Sequence, residues 1–310
     1  MGNVVVVKEG TGDAPRKRVM VSAHMDEVGL IVTSATEDGY LRIAAAGGID
    51  PRVLVSKRVT VGEDKLPGVI GAVPIHLQSA AERKHVLSMD ELLVDIGAKN
   101  KDEAERKAPM GTYISFDTPY VEYGDGFACG KAFDDRVGCL SLLRLLQEEL
   151  PVDLVACFVS EEEVGCRGAK GAAFQQEPDI GIVLEGTTCN DLGDVPETAH
   201  VCEAGQGVTV SFMDGASIAN RALFRKALDV AKQENIPHQV KHSVSGGNDG
   251  GAIQRAREGV PVVVLSVPCR YIHSPSSVVK LSDVESQFAL VKALVKALYC
   301  LLYTSDAADE

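Results

Sequence analysis

The sequence predicts an α/β fold: one sheet covered by helices on both faces, interrupted by a small inserted β module. Three observations predict it. Apolar runs of strand length, VDLVACFV, DIGIVLEG and VPVVVLSV, alternate with helical segments through the second half of the chain. Between Leu30 and Glu122, by contrast, short strands follow one another among frequent glycines, the pattern of a small barrel or sandwich. Two further strands, NVVVVKEG and RKRVMVSAH, precede that module, so the stretch up to His24 belongs with the later sheet.

The elements follow in chain order. The turn-like GTGDAP joins the first two strands. VGLIVTSATEDGYLRIAAAGG reads as a hairpin turning at Glu37-Asp38-Gly39. KRVTVG, GVIGAV, ELLVDIGA and GTYISF are strands, with the polar stretches LQSAAERKHVLSMD and KNKDEAERKA between them. VGCLSLLRLLQEEL is helical, with apolar residues three and four apart. GAKGAAFQQ and GGAIQRARE are short helices, and ANRALFRKALDVAKQENI is an amphipathic one. The last helix starts at a capping-box pattern, Ser282-x-x-Glu285. The C-terminal YTSDAADE is small, polar and acidic, and reads as a disordered tail.

The totals bound the function. A chain of 310 residues, 45% hydrophobic and 24% charged, can build a sizeable core in one large or two ordinary domains. The net charge of −13 argues against nucleic acid or an anionic membrane as partner. FALVKALVKALYCLL carries Lys292 and Lys296 and falls short of a membrane span. The start, MGNVVVVKEG, has no secretory h-region, and Val6 stands where a myristoylation signal wants Ser or Thr. The eight cysteines form no C-x-x-C pair and sit in apolar or small-residue contexts. They read as reduced core residues of a cytoplasmic protein.

Five segments put acidic or imidazole side chains where a strand ends. They are His24 and Asp26 in SAHMDEVG, Asp134 and Asp135 in KAFDDRVG, the glutamates of SEEEVG, Glu185 in VLEGTT, and His273 in RYIHSP. Ligands of open α/β sheets bind outside the carboxyl ends of the strands. Two histidines and several carboxylates at one such edge suit zinc, cobalt or manganese, and a pair of these metals activates water and polarises a carbonyl. Each segment alone has a plainer meaning. A lone histidine is ordinarily a core or surface residue, DDR a helix start, EEE a solvated face, Glu185 a loop residue, and His273 before Ser-Pro a turn cap. SGGNDGGAI lacks both the P-loop lysine and the G-x-G-x-x-G spacing, which excludes a nucleotide cradle. His76, His85, His200, His238 and His242 carry only structural readings.

Taken in order, AHMDEVG, KAFDDR, EEVGCRGA, GGNDGGAI and RYIHSP resemble the tetrahedral metallo-aminopeptidases, the family that also carries glutamyl aminopeptidase and endoglucanase M labels. The similarity runs from about residue 3 to residue 300. It implies a three-layer α/β/α exopeptidase domain of the phosphorylase/hydrolase-like kind, residues 1–29 plus 123–303, with an inserted β-barrel that serves assembly at 30–122 and a tail at 304–310. It implies two divalent metal ions per subunit. His24 and Glu185 are ligands of one, Glu163 and His273 of the other, and Asp134 bridges them. Glu162 matches the general base, and Asp26 is expected to orient the His24 imidazole. SGGNDGGAI becomes a loop near the substrate pocket. Peptides are the implied substrates, and dimers building a dodecamer the implied assembly.

Two departures accompany the resemblance. The family has a helical segment before the strand matching NVVVV, where this chain nearly starts, and YTSDAADE has no counterpart; both suggest a truncated reading frame. Two other readings compete. One is a catalytically impaired assembly subunit of the same fold. The other is a glycosidase, which needs two carboxyls flanking a sugar bond; here the carboxylates look committed to metal.

Overall fold

The computed structural model describes residues 1–299. The expected tail at 304–310 lies outside the described residues. The chain opens with β1 (Val4–Lys8) and β2 (Arg18–His24), then enters a run of short strands, β3 (Gly29–Ala35), β4 (Leu41–Ala46), β5 (Arg58–Val61), β6 (Leu66–Gly71) and β7 (Leu93–Asp95). Helix α1 (Lys101–Lys107) and β8 (Tyr113–Phe116) complete that run. These six strands close into a barrel in the order β3-β4-β7-β6-β5-β8. The hairpin β3–β4 turns at Glu37–Gly39, where Gly39 takes φ +88°, a left-handed value that glycine adopts without a Cβ clash. The first polar stretch, 77–90, contains only short 3₁₀ turns. The second, KNKDEAERKA, forms α1, because the Asn100 side chain accepts from Glu103 N and leaves the acidic residues in the first turn. Leu30, Leu41, Leu54, Ile70, Leu92 and Val94 fill the barrel core and are fully buried.

The rest builds the larger sheet and its helices: β9 (Val121–Tyr123), β10 (Phe127–Gly130), α2 (Phe133–Leu145), β11 (Asp153–Val159), α3 (Arg167–Gln176), β12 (Ile180–Thr188), β13 (Val208–Ser211) and α4 (Arg221–Gln233). It ends with β14 (His238–Val240), α5 (Asp249–Gln254), β15 (Val262–Arg270), β16 (Ser277–Lys280) and α6 (Leu281–Leu298). The strand order is β1-β11-β2-β12-β15-β16-β10-β9, with β13 on β15 and β14 on β13. The four central strands β11, β2, β12 and β15 are parallel, so their carboxyl ends share one edge. β9 straddles the expected boundary at Glu122 and pairs with β10, so by strand pairing the large sheet resumes at Val121.

Alternation along β2 shows the three layers. Val19, Val21 and Ala23 pack with residues of α2, α4 and α6, while Met20 packs on the opposite face with Ala169, Ala172 and Ile253 of α3 and α5. Helix α4 buries Leu223, Ala227, Val230 and Ala231, a single stripe at helical spacing. The capping box at Ser282 does not form: β16 runs straight into α6, whose N-cap is Lys280. Ser282 lies inside the first turn, and Glu285 instead forms an ion pair with Arg144. The helix expected over 137–150 begins earlier, at Phe133, and ends at Leu145.

Candidate metal centre

Two strands, one helix start and three loops bring the expected residues to the carboxyl edge. Val159 stands opposite His24 in the parallel β11–β2 pair, so the 160–166 turn leaves the sheet beside His24. Glu185 points from β12, Asp134 comes from the first turn of α2, and His273 follows β15. Asp134 is the centre of the arrangement. Its Oδ1 lies 3.4 Å from His24 Nε2 and its Oδ2 lies 3.4 Å from His273 Nε2. Glu185 Oε2 is 3.5 Å from His24 Nε2, and Glu163 Oε2 is 3.5 Å from His273 Nε2. One carboxylate thus divides its oxygens between two half-sites, each with one imidazole and one further carboxylate.

Backbone contacts fix this geometry. Gly186 N donates to Asp134 Oδ1 at 3.1 Å, and a Cβ on Gly186 would lie 3.0 Å from that oxygen, so the close approach favours glycine. Both oxygens of buried Asp135 accept backbone N–H groups, from His24 and Gly138. The ligand atoms of His24, Asp135 and Glu185 lie within 4.8 Å of one another, but Asp135 is committed to the backbone and Asp134 is the freer partner. Glu161, Cys166, Tyr271 and His273, in the loops that carry the site, all take left-handed φ without being glycine.

Asp26 meets the His24 imidazole through its backbone and not through its carboxylate. Its carboxylate stands 3.7 Å from His24 Nδ1, beyond a hydrogen bond, and the Asp26 backbone carbonyl accepts from that nitrogen at 3.1 Å instead. That carbonyl favours the tautomer protonated at Nδ1, which leaves Nε2 facing Asp134 and Glu185. The Asp26 carboxylate accepts from Glu162 N and Glu163 N, at 3.2 and 3.1 Å, and so holds the glutamate turn in place. Glu161 turns away to Arg167.

The electrostatics show what the cluster lacks. Burial pushes Glu163 up to about 7 despite His273, and burial raises Glu162 and Glu185 as well. Asp134 holds the His273 imidazole up at about 9. Burial opposes charge on His24, yet Asp134 and Glu185 outweigh it and raise that imidazole too. Burial would raise Asp134, but His24 and His273 hold it below the usual carboxylate range. Protons on the imidazoles thus stand in for positive charge among crowded carboxylates. His24 Nε2 and Glu185 Oε1, both buried, have no hydrogen-bond partner. Two donors each bound ~2.0–2.1 Å from a tetrahedral cation sit roughly 3.3–3.5 Å apart, the spacing found in both half-sites. The donor set of imidazoles and carboxylates therefore fits divalent cations.

The site adjoins a cavity of about 360 Å³ lined by Glu162, Thr187, Thr188, Lys241, Gly246, Gly247 and Asn248, among others, so the SGGNDGGAI loop does reach it. Sequence reasoning singled out Asp135 without giving it a role, and missed Gly186, Lys241 and Asp249. Asp249 is fully buried, neither of its oxygens has a partner, and an oxygen of it lies within 4.8 Å of ligand atoms on Glu162 and Cys166. Its place beside Asn248 in a glycine-rich loop was the only available signal.

The M42 glutamyl aminopeptidase family model matches residues 2–290. The lysyl aminopeptidase of Pyrococcus furiosus is 33% identical over 314 residues, covering 98% of this chain and 87% of the relative. The glutamyl aminopeptidase of Lactococcus lactis is 32% identical over 321 residues, covering 100% and 87%. Among solved structures, the Pyrococcus horikoshii TET1 peptidase, which can assemble into a tetrahedron or a large octahedral shell, superposes with a TM-score of 0.82 at 33% identity, covering 95% of this chain and 87% of that one.

Proposed function

The chain belongs to the M42 glutamyl aminopeptidase family, metal-dependent hydrolases of peptide bonds, and from that premise we propose a two-cation aminopeptidase that trims peptides from the N-terminus. The observation that carries the reading is the Asp134 carboxylate, divided between His24 and His273 at 3.4 Å each. His24, Glu185 and Asp134 would hold one cation, and His273, Glu163 and Asp134 the other. When bound, two ions of zinc, cobalt or manganese supply Lewis acidity toward water and toward the scissile carbonyl. Glu162 takes the proton that the attacking water sheds and returns it to the leaving amine as the C–N bond breaks. Asp26 keeps Glu162 and Glu163 in place through their backbone N–H groups, and Gly186 N aims Asp134.

Purified protein should contain divalent metal and cleave aminoacyl-nitroanilides. Chelator should abolish the cleavage and added cobalt or zinc restore it. Sugar hydrolysis indifferent to chelator would sink the proposal, as would a metal-loaded protein without peptidase activity, the behaviour of an assembly subunit. Self-association into a dodecamer is proposed by likeness to the TET assemblies, and a clean monomer in light scattering would remove it. Among the described residues no helix is long and apolar enough to cross a membrane. The seven described cysteines are free thiols, which suits work in the reducing cytoplasm.

A further inference from the structure

Beside the two half-sites lies a third group of ligand-type side chains. Carboxylate oxygens of Glu162 and Asp249 and the Cys166 sulfur lie within 4.8 Å of one another, and no ligand of the two half-sites belongs to that group. Two features of the fold assemble it. Gly165 N and Cys166 N both donate to the Glu162 carbonyl, a tight turn that brings the Cys166 side chain back onto Glu162. Cys166 Sγ then donates to Glu162 Oε1 at 3.4 Å. Helix α3 starts at Arg167 and packs with α5 through Ala169, Ala172 and Ile253, which delivers Asp249, the first residue of α5, to the same spot.

Asp249 is the residue that asks for a ligand. It is fully buried, and neither of its oxygens accepts a hydrogen bond. Among the described residues no Lys, Arg or His forms an ion pair with it. The Cys166 thiol gives its proton to Glu162, and the adjacent Asn248 side chain is spent on Gly250 N and Asp214. A buried carboxylate is ordinarily paired or bound to metal, because its desolvation is costly. The donor set is two carboxylates and one sulfur, and thiolate ligands select zinc and softer ions over magnesium or calcium. A tetrahedral ion ~2.3 Å from sulfur and ~2.1 Å from oxygen holds those donors roughly 3.6 Å apart. Cys166 Sγ and Glu162 Oε1 are already 3.4 Å apart. Glu162 also lines the cavity of about 360 Å³, which gives an ion its route in.

We propose that Glu162, Cys166 and Asp249 form a third cation site, which takes a thiophilic divalent ion such as zinc or cadmium and thereby ties up Glu162 and stops turnover. Cys166 releases its thiol proton to solvent as the ion binds. The site itself stands apart from the aminopeptidase reading; only its effect on turnover rests on Glu162 being the base. Two zinc ions per chain would then activate the enzyme and a third would inhibit it.

The test titrates zinc and cadmium into the full chain, with Cys166→Ala, Cys166→Ser, Asp249→Asn and Glu162→Gln as variants. Nitroanilide cleavage should rise as zinc fills the half-sites, then fall about 10²-fold or more at saturation of the third site, the loss that follows when a general base is blocked. Relative to each variant's own uninhibited rate, Cys166→Ala, Cys166→Ser and Asp249→Asn should need roughly 10–100-fold more zinc for the same inhibition. Cadmium reads the site without turnover. Its thiolate complex has an ultraviolet charge-transfer band that the sulfur-free half-sites do not produce, so a protein with no peptidase activity still answers. The band should be lost in both Cys166 variants and should need more cadmium in Asp249→Asn and Glu162→Gln. A band equally strong without Cys166, or no band in the unmutated protein, overturns the site. A band whose onset ignores Glu162→Gln, or zinc inhibition that none of the Cys166 and Asp249 variants weakens, overturns the capture of Glu162.

Discussion

In the barrel, Leu30, Leu41, Ile70 and Val94 are fully buried, and every buried side-chain donor and acceptor of its strands has a partner. At the carboxyl edge of the large sheet, His24 Nε2, Glu185 Oε1 and both Asp249 oxygens are buried without one. All the clusters able to hold a metal among the described residues also lie there, and none in the barrel. The barrel has spent its polar groups on its own structure, whereas the sheet edge keeps charges that only a cation or substrate can satisfy. An unsatisfied buried charge costs stability wherever it occurs. Among the described residues four of the seven such atoms belong to His24, Glu185 and Asp249 at that edge, where folding leaves room for chemistry; Arg18 Nε, Ser22 Oγ and Thr209 Oγ1 are the others.

The sharpest way to break that comparison is to remove chemistry without touching structure. Glu162→Gln keeps the shape of the proposed base and removes its proton acceptor. Turnover should fall by about 10²–10⁴-fold, with metal content and melting temperature unchanged. Near-normal turnover would take Glu162 out of the mechanism.

The converse change damages structure without touching chemistry. Leu41 is fully buried in the barrel core, and Leu41→Ala should cost about 2–5 kcal/mol in denaturant unfolding. If barrel and sheet edge are separable, its kcat below the melting transition stays that of the unmutated enzyme. A collapse of kcat in folded protein would show that the barrel shapes the site, and the two do approach each other: a Cβ on Gly47, just after β4, would lie 3.2 Å from Glu163 Cβ, and one on Gly48 3.6 Å from His273 Nδ1.

Gly186→Ala tests a residue that belongs to both structure and site. The new methyl would sit 3.0 Å from Asp134 Oδ1, so Asp134 must move and both half-sites loosen together. Metal affinity should drop roughly 10–100-fold, the usual cost of disturbing a group that orients a ligand. Loss of one ion with full retention of the other would contradict the shared role of Asp134.

The two regions also differed in how far sequence could read them. The barrel's strands were visible because each carries a local apolar run of strand length. At the sheet edge, His24, Glu163, Glu185 and His273 were visible because each follows or ends such a run, whereas Asp134, behind the unread β10, was visible through its KAFDDR motif. Strands β9, β10, β13, β14 and β16 were not, since three or four residues carry little pattern. Asp26 was placed by proximity in sequence to His24, yet its carboxylate serves the glutamate turn 136 residues away.

The smallest effect expected is a pH dependence that metal should cancel. In the metal-free protein, His273 is held up at about 9 against an ordinary 6.5, so its stabilisation is complete below 6.5 and is lost as pH rises through 9. Glu163 is raised to about 7 from 4.5, so within that window the folded state keeps a proton the unfolded chain has shed, and stability falls as pH rises. His24 and Glu185 are shifted upward too, and their contributions carry the same sign. Asp134 is shifted downward, which matters only in strong acid. The metal-free protein should therefore melt roughly 2–6 °C lower at pH 8.5 than at pH 6. A bound cation replaces the lost protons as the positive charge among the carboxylates, so the metal-loaded protein should lose little or gain over the same range, and loading should release protons. Groups elsewhere, such as His200 beside Glu203, contribute equally to both curves and cancel in their difference. Parallel melting curves with and without metal would mean that the cations do not sit among these carboxylates.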